Sequence, residues 1–146
     1  MAGMFFSKTS EYALRAVVYL ADHEGQSQTT QQIAEATKVP SNYLSKTLQS
    51  LARAGLVQAQ RGLGGGFMLA RPAAGVTVLD VVSAVDPVQR IHTCPLSLAS
   101  HGTNLCPLHR KLDDALASIE TAFGSTVIAD LLHVKGMNKP LCETIE

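Results

Sequence analysis

Hydrophobic spacing divides the chain into helices of different character. From about Thr9 to His23, the residues Ala13, Leu14, Ala16, Val17, Val18, Leu20 and Ala21 form a broad apolar face, and Gly25 is placed to end the helix. Thr29 and Gln32 have capping-box spacing ahead of a short helix through Ile33, Ala34 and Ala36, which Val39-Pro40 breaks. A third helix begins near Ser41. Leu44, Leu48 and Leu51 recur on one side of it, and Gly55 suits a left-handed end. Two short strands, Leu56 to Gln60 and Phe67 to Ala70, then flank Arg61-Gly62-Leu63-Gly64-Gly65-Gly66. After Pro107, an apolar stripe of Leu108, Leu112, Leu116, Ile119 and Phe123 predicts a long helix ended by Gly124. Ser125 or Thr126 is expected to cap a final short helix through Val127, Ile128, Leu131 and Leu132.

Helix, tight turn, helix and glycine-rich hairpin give the outline of a winged helix-turn-helix. The expected class is therefore mainly α with a small β-hairpin wing, followed by a long C-terminal dimerisation helix. In that architecture the N-terminal end of the second helix of the motif enters the major groove. Here that end presents Ser41, Asn42, Tyr43, Lys46, Thr47 and Ser50. Asparagine can read adenine through two hydrogen bonds, and serine or threonine can bond to bases or phosphates. At the hairpin tip, glycines let the backbone turn tightly, and a lone arginine suits a narrow minor groove. A phosphate-cradling nucleotide loop is the rival reading. It fails because no buried strand-to-helix junction precedes the glycines and no Lys-Ser/Thr pair follows them.

Charge sharpens this picture. The 146 residues carry 12 Lys and Arg against 12 Asp and Glu, so the chain is formally neutral. Between Glu35 and Asp80, however, there is no acid, while Lys38, Lys46, Arg53, Arg61 and Arg71 fall in that interval. Concentrated positive charge suits a polyanion because each neutralised phosphate releases counterions, although a basic run can also be a solvated face. The candidate DNA-contacting set is Thr29, Lys38, Ser41, Asn42, Tyr43, Lys46, Arg61, Gly62 and Gly64. The partner expected is double-stranded DNA carrying a pseudo-palindromic operator, read by a homodimer. A long amphipathic helix beyond a small winged domain has little core of its own to cover, which favours a partner helix.

Other classes are disfavoured. No Ser/His/Asp arrangement, paired carboxylate or nucleotide loop points to an enzyme. Arg15 interrupts the apolar run near the N-terminus and no cleavage site follows, so neither a signal peptide nor a membrane span is expected. Three cysteines form no secreted disulfide framework and fit reduced thiols or metal ligands in a cytoplasm.

Candidate chemistry gathers ahead of the long helix. Cys94-Pro95 and Cys106-Pro107 bracket a polar loop, and His92, His101 and His109 lie in or beside it. Thiolate and imidazole are ligands of iron–sulfur clusters and zinc. The loop is read as a metal site, as part of a metal-free sensor that works through a reversible Cys94–Cys106 disulfide or responds to a metabolite or partner protein, or as a polar connection with inert thiols. Cys142 stands apart and is read as an ordinary thiol.

Tyr43-Leu44-Ser45-Lys46, Leu48, Leu51, Ala54-Gly55-Leu56-Val57 and Arg61-Gly62-Leu63-Gly64-Gly65-Gly66-Phe67 together resemble the Rrf2 family of bacterial transcription regulators, in its IscR- and NsrR-like form. Ser10-Glu11-Tyr12-Ala13-Leu14-Arg15 is similar to the family's opening, and Thr77-Val78-Leu79-Asp80-Val81-Val82 to a capped helix packing beneath the wing. The resemblance covers nearly the whole chain. It implies a homodimeric DNA-binding regulator, a repressor controlled by an iron–sulfur cluster or a redox or nitrosative signal. The implied organisation is a winged domain over 1–87, a sensor loop over 88–106, and a dimerisation helix and tail over 107–146. Cluster-binding relatives carry three evenly spaced cysteines. Cys94 and Cys106 match the outer two, Ser100 occupies the middle position, and His109 matches a histidine after the last. Some relatives add a carboxylate from the partner's first helix, where this chain has Glu11. The implied ligands of a two-iron two-sulfur cluster are Cys94, Cys106, His109 and Glu11, with His101 as substitute. An acid in a first helical turn also complements the helix dipole without binding anything.

Overall fold

The computed structural model describes residues 5–101 and 104–141. Six α-helices and one hairpin make up the fold: α1 (Lys8–Asp22), α2 (Thr30–Thr37), α3 (Ser41–Arg53), β1 (Val57–Gln60), β2 (Gly66–Leu69), α4 (Val78–Val85), α5 (Pro107–Gly124) and α6 (Ile128–Leu132). A single 3-10 turn, Ala73–Gly75, follows the hairpin. The strands are antiparallel, with Val57 opposite Leu69 and Gln60 opposite Gly66. No helix among the described residues is long and apolar enough to cross a membrane.

Local chemistry sets the helix ends. Ser7 caps α1 by accepting from the Ser10 backbone N–H at 3.1 Å. At α2 the capping box is complete: Gln32 N donates to Thr29 Oγ1 at 3.1 Å and Thr29 N to Gln32 Oε1 at 2.8 Å. The α3 terminus is a Schellman motif, with Gly55 N bonded to Ala52 O and Leu56 N to Leu51 O, each at 3.0 Å. Gly55 sits there at φ 76°, where a side chain would be strained. This reversal turns the chain directly from α3 into the hairpin.

The core forms around α1. Ala13, Ala16, Val17 and Leu20 are fully buried, together with Ile33 of α2, Leu44, Leu48 and Leu51 of α3, Val81 of α4 and Ile128 of α6. Three small residues in that α1 set allow neighbouring helices to approach closely. The wing is tied in at its base. Gln28 N donates to Phe67 O at 2.8 Å and Phe67 N to Gln28 O at 2.7 Å, which joins β2 to the segment ahead of α2. Tyr19 Oη completes the junction by donating to Gln28 Oε1 at 2.8 Å.

Three sequence expectations need correction. Thr47 is not exposed: it is only 5% accessible, and its hydroxyl donates to the Tyr43 carbonyl at 2.9 Å. Its place one residue before Leu48 turns it toward the core, where bonding back along the helix satisfies the hydroxyl. The capped helix α4 packs on α1, α3 and α5 rather than beneath the wing. Its buried Val78, Val81 and Val82 need an apolar helix surface larger than the hairpin offers. Finally, neither Ser125 nor Thr126 caps α6, whose N-cap is Val127 without a side-chain bond. Both hydroxyls donate backward to α5 carbonyls instead, Ser125 to Thr121 O at 2.8 Å and Thr126 to Ala122 O at 3.0 Å. The α6 start is held by backbone pairing: Val78 N reaches Thr126 O at 2.9 Å, and Ile128 N reaches Val76 O at 2.8 Å.

Gly66 gives the sharpest test of this architecture. It has φ 148°, and a Cβ there would overlap the Gln28 carbonyl oxygen. Gly66→Ala should cost about 1–3 kcal/mol, read as a lower urea midpoint with an unchanged slope. Gly75→Ala, where the added carbon meets open space and φ is ordinary, should leave the midpoint nearly unchanged.

Candidate nucleic-acid interface and sensor loop

The candidate reading face is α3 and the hairpin tip. Ser41, Asn42, Tyr43 and Lys46 are all exposed on α3, and Arg61, Gly62, Leu63 and Gly64 are exposed at the tip. Gly62 and Gly64 have φ 93° and 75°, so the tip conformation depends on glycine. Lys38, exposed in the turn before α3, itself adopts a left-handed conformation at φ 57°. Thr29 is exposed as the α2 N-cap, with its hydroxyl already accepting from Gln32 N. Among the described residues, no carboxylate pairs with Lys38, Lys46, Arg53, Arg61 or Arg71. Their charge is therefore uncompensated locally and open to an anionic surface.

Beside α3 lies a cleft of about 380 Å³ lined by Thr9, Asn42, Tyr43, Lys46, Thr47 and Ser50. Thr9 was missing from the sequence-derived set. Its membership follows from α1 packing against α3, and its place in the first turn of a capped helix was the only local signal. The Tyr43 ring meets Tyr12 of α1 edge-on at 6.0 Å, which steadies the reading end of α3.

The loop candidates separate into two pairs. Cys94 Sγ lies 3.9 Å from His101 Nδ1, and Cys106 Sγ lies 3.4 Å from His109 Nδ1. Cys106 is also the N-cap of α5, which brings His109 into the first turn beside it. His92 and Ser100 are exposed. Glu11 stands elsewhere, 2.6 Å from Arg15 Nε on the same helix, in a groove with Leu14, Val18, Pro140 and Leu141. Cys142 lies outside the described residues. Among those residues, no three His, Cys, Asp or Glu side chains gather where one metal ion could be held. The donors of one chain thus do not fit a cluster. Two thiols stand apart with an imidazole each, the third position is a neutral hydroxyl, and the carboxylate is engaged by arginine.

Sequence reasoning also missed Arg90. Its guanidinium holds Asp113 through two bonds, Nε to Oδ1 at 2.7 Å and Nη2 to Oδ2 at 2.8 Å, and reaches Glu120 with Nη1 at 2.8 Å. The Ile91 backbone N–H adds a bond to Asp113 Oδ1 at 2.9 Å. Hydrogen bonds from Arg90 and then Ile91 hold the Asp113 carboxyl far below its usual range. Asp113 and Glu120 are two turns apart on α5, so this bidentate clamp fixes the start of the loop along the helix. Nothing in the local pattern around Arg90 announced it.

A two-helix reader with a glycine-tipped wing, followed by a long uncovered helix, defines the class of winged helix-turn-helix proteins. The chain matches the Rrf2 family, described as iron-dependent transcriptional regulators, over residues 6–134, and it belongs to that family. It is 30% identical over 135 residues to an HTH-type transcriptional regulator of Aquifex aeolicus, covering 90% of this chain and 94% of that one. Among solved structures, IscR of T. potens superposes with a TM-score of 0.74 at 26% identity, covering 89% of this chain and 87% of that one. CymR, the global cysteine regulator of B. subtilis, shares the fold with a TM-score of 0.73 at 23% identity, covering 88% and 96%. The protein is accordingly a DNA-binding transcription regulator, and the family and its neighbours are regulators rather than enzymes.

The Arg90 clamp has a pH signature. Because the folded-state value of Asp113 is depressed, its stabilisation is present above the ordinary carboxylate value and is lost as pH falls through about 4 and below. Asp113→Asn should remove that part of the acid dependence in urea midpoints measured between about pH 5 and pH 3. Amide exchange at Ile91 should rise in the variant even at neutral pH.

Proposed function

We propose that this regulator is a homodimeric repressor whose operator affinity is set by the thiol–imidazole loop over 88–106. The observation that carries the reading is placement: the Cys/His loop joins α4 directly to α5, which packs on α4 along one side. That helix, α5, buries none of its residues completely, and Leu108 and Leu112 remain 62% and 48% exposed. Leu116, Ile119 and Phe123 are partly covered within the chain, so the open part of the stripe is its first two turns, and that part supports a second copy as its cover.

Two-fold symmetry then presents two α3 helices to successive major grooves of a pseudo-palindromic operator. Asn42 with Ser41 reads base edges, Tyr43, Lys46, Lys38 and Thr29 engage the backbone, and Arg61 enters the neighbouring minor groove over Gly62 and Gly64. The loop acts by differential binding: whatever favours one arrangement of loop and α5 changes the separation of the two reading helices, and DNA must bias the loop in return. The family's description as iron-dependent supports metal chemistry in that loop. A metal-free thiol switch between Cys94 and Cys106 is the second reading, favoured by one observation: the thiols stand in separate pairs rather than around a common centre. Iron and acid-labile sulfide, with the visible spectrum of anaerobically purified protein, separate the two.

Lys46→Ala should weaken binding to all duplexes alike and lower the salt slope by about 1. Asn42→Ala should instead relax discrimination at one base pair by about 1–3 kcal/mol. Cys94→Ser with Cys106→Ser should keep duplex affinity yet abolish its response to oxidising, reducing and nitrosative conditions in fluorescence anisotropy. A double variant that still responds like the wild type sinks the sensory reading and leaves the DNA-binding assignment in place.

A further inference from the structure

Between Arg61 and Phe67 a single side chain projects from the hairpin tip. Gly62, Gly64, Gly65 and Gly66 have none, which leaves Leu63 alone on a bare backbone ridge. Leu63 is the most exposed large apolar residue among those described, at 108% accessibility against 81% for Phe5 and 70% for Leu96. The other large apolar residues of the hairpin turn inward: Val57 and Leu69 are buried, Phe67 and Met68 half-buried. A leucine isolated in this way makes no patch for a protein partner, which needs on the order of several hundred Å² of contiguous apolar surface.

The ridge around it is narrow and stiff. Gly62 and Gly64 flank Leu63 at φ 93° and 75°, and a Cβ at Gly65 would meet Gln60 O and Gly62 O at 2.5 and 2.7 Å. The turn therefore excludes side chains on both sides of Leu63. Gly65 N closes it on Gly62 O at 2.9 Å, and Gln60 pairs with Gly66 at its base. One residue further, the Gln28–Phe67 pair anchors β2 to the body of the domain. Leu63 itself does not have a left-handed φ, so its side chain can be exchanged without straining the turn.

We propose that Leu63 is an apolar wedge: it enters the minor groove of bound DNA beside Arg61, opens one base step and kinks the duplex there. This deepens the reading of the hairpin given above and rests on Arg61 meeting the minor groove. That groove is about 6 Å wide, which admits a bare ridge with one side chain but no helix. Contact with the exposed base faces removes the leucine from water, and that gain offsets the unstacking. A wedge must also push against a firm base, which the closed turn and the Gln28–Phe67 anchor supply. Leu63 lies two residues from Arg61, a reach of at most about 7 Å. At about 3.4 Å per step, this spans two base steps. Arg61 suits a narrow A·T tract, so the wedge falls at the border of that tract, where a pyrimidine–purine step opens at least cost. Sequence preference then arises at a step that no side chain reads by hydrogen bonds.

The test begins with full-length protein, purified anaerobically, selecting duplexes from a random-sequence pool. In the selected duplex, 2-aminopurine replaces each adenine singly. With wild-type protein its fluorescence should rise about two-fold or more at one step, and energy transfer between end dyes should report a kink of about 20° or more. Leu63→Ala should abolish the rise and the kink, whereas Leu63→Met, apolar and of similar volume, should retain both. Replacing the pyrimidine–purine step by A·A should weaken the wild type about five-fold or more and leave Leu63→Ala nearly unaffected. Unchanged urea midpoints show that both variants are folded. The wedge is overturned if every 2-aminopurine stays stacked, if the rise survives in Leu63→Ala, or if the step replacement costs both proteins equally. In those cases weaker binding by Arg61→Ala, with its A·T preference lost, leaves the minor-groove reading standing. Selection that recovers no common duplex, or Arg61→Ala that binds like the wild type, removes that reading and the wedge with it.

Discussion

The apolar side of α1 touches α2, α3, α4, α6 and β2, and those elements bury their own apolar residues against one another only because that surface is there. Its buried positions are mainly alanine and valine. Small and β-branched side chains have few rotamers, so this surface has one shape rather than several. The reading helix inherits its position from that shape, since Leu44, Leu48 and Leu51 cannot pack on α1 in a second register without exposing themselves. The placement of the exposed side of α3 thus begins on its opposite, buried side.

That constraint propagates through short-range backbone hydrogen bonds. The Schellman turn at Gly55 fixes the departure of β1 from α3, and the Gln28–Phe67 pairing fixes the return of β2 beside α2. Between them the glycine tip is closed by its own turn, Gly65 N bonding to Gly62 O at 2.9 Å. α3 and the hairpin are therefore held to each other by backbone bonds, while Ser41, Asn42, Tyr43, Lys46 and Arg61 remain exposed. A rigid frame with exposed side chains suits recognition that must be both indexed and salt-sensitive.

Much of the winged region was legible because its signals are local. The capping box at Thr29, the apolar spacing of α3 and the αL glycine at Gly55 each act within a few residues, and each appeared as read. Thr47 misled because helical periodicity does not show which way a residue on the border of the buried face will turn. Ser125 and Thr126 misled for a different reason: a hydroxyl has two uses near a helix junction, and backward bonding to α5 won over forward capping of α6. The Arg90 clamp was illegible because its partners lie 23 and 30 residues away along the chain. The loop was legible as a cluster of donors but not as an arrangement, since spacing cannot reveal that each cysteine keeps its own histidine.

The return of α6 into the core has a mechanical consequence for α5. That helix is pinned at its middle and toward its end by Arg90, through Asp113 and Glu120, and past its end by the pairing of Thr126 and Ile128 with Val78 and Val76 and by buried Ile128. A rod held along its second half cannot swing like a free arm. It can still twist or slide by fractions of a turn, and any such torsion is delivered at Val76 and Val78, against α4 and the base of the reading domain.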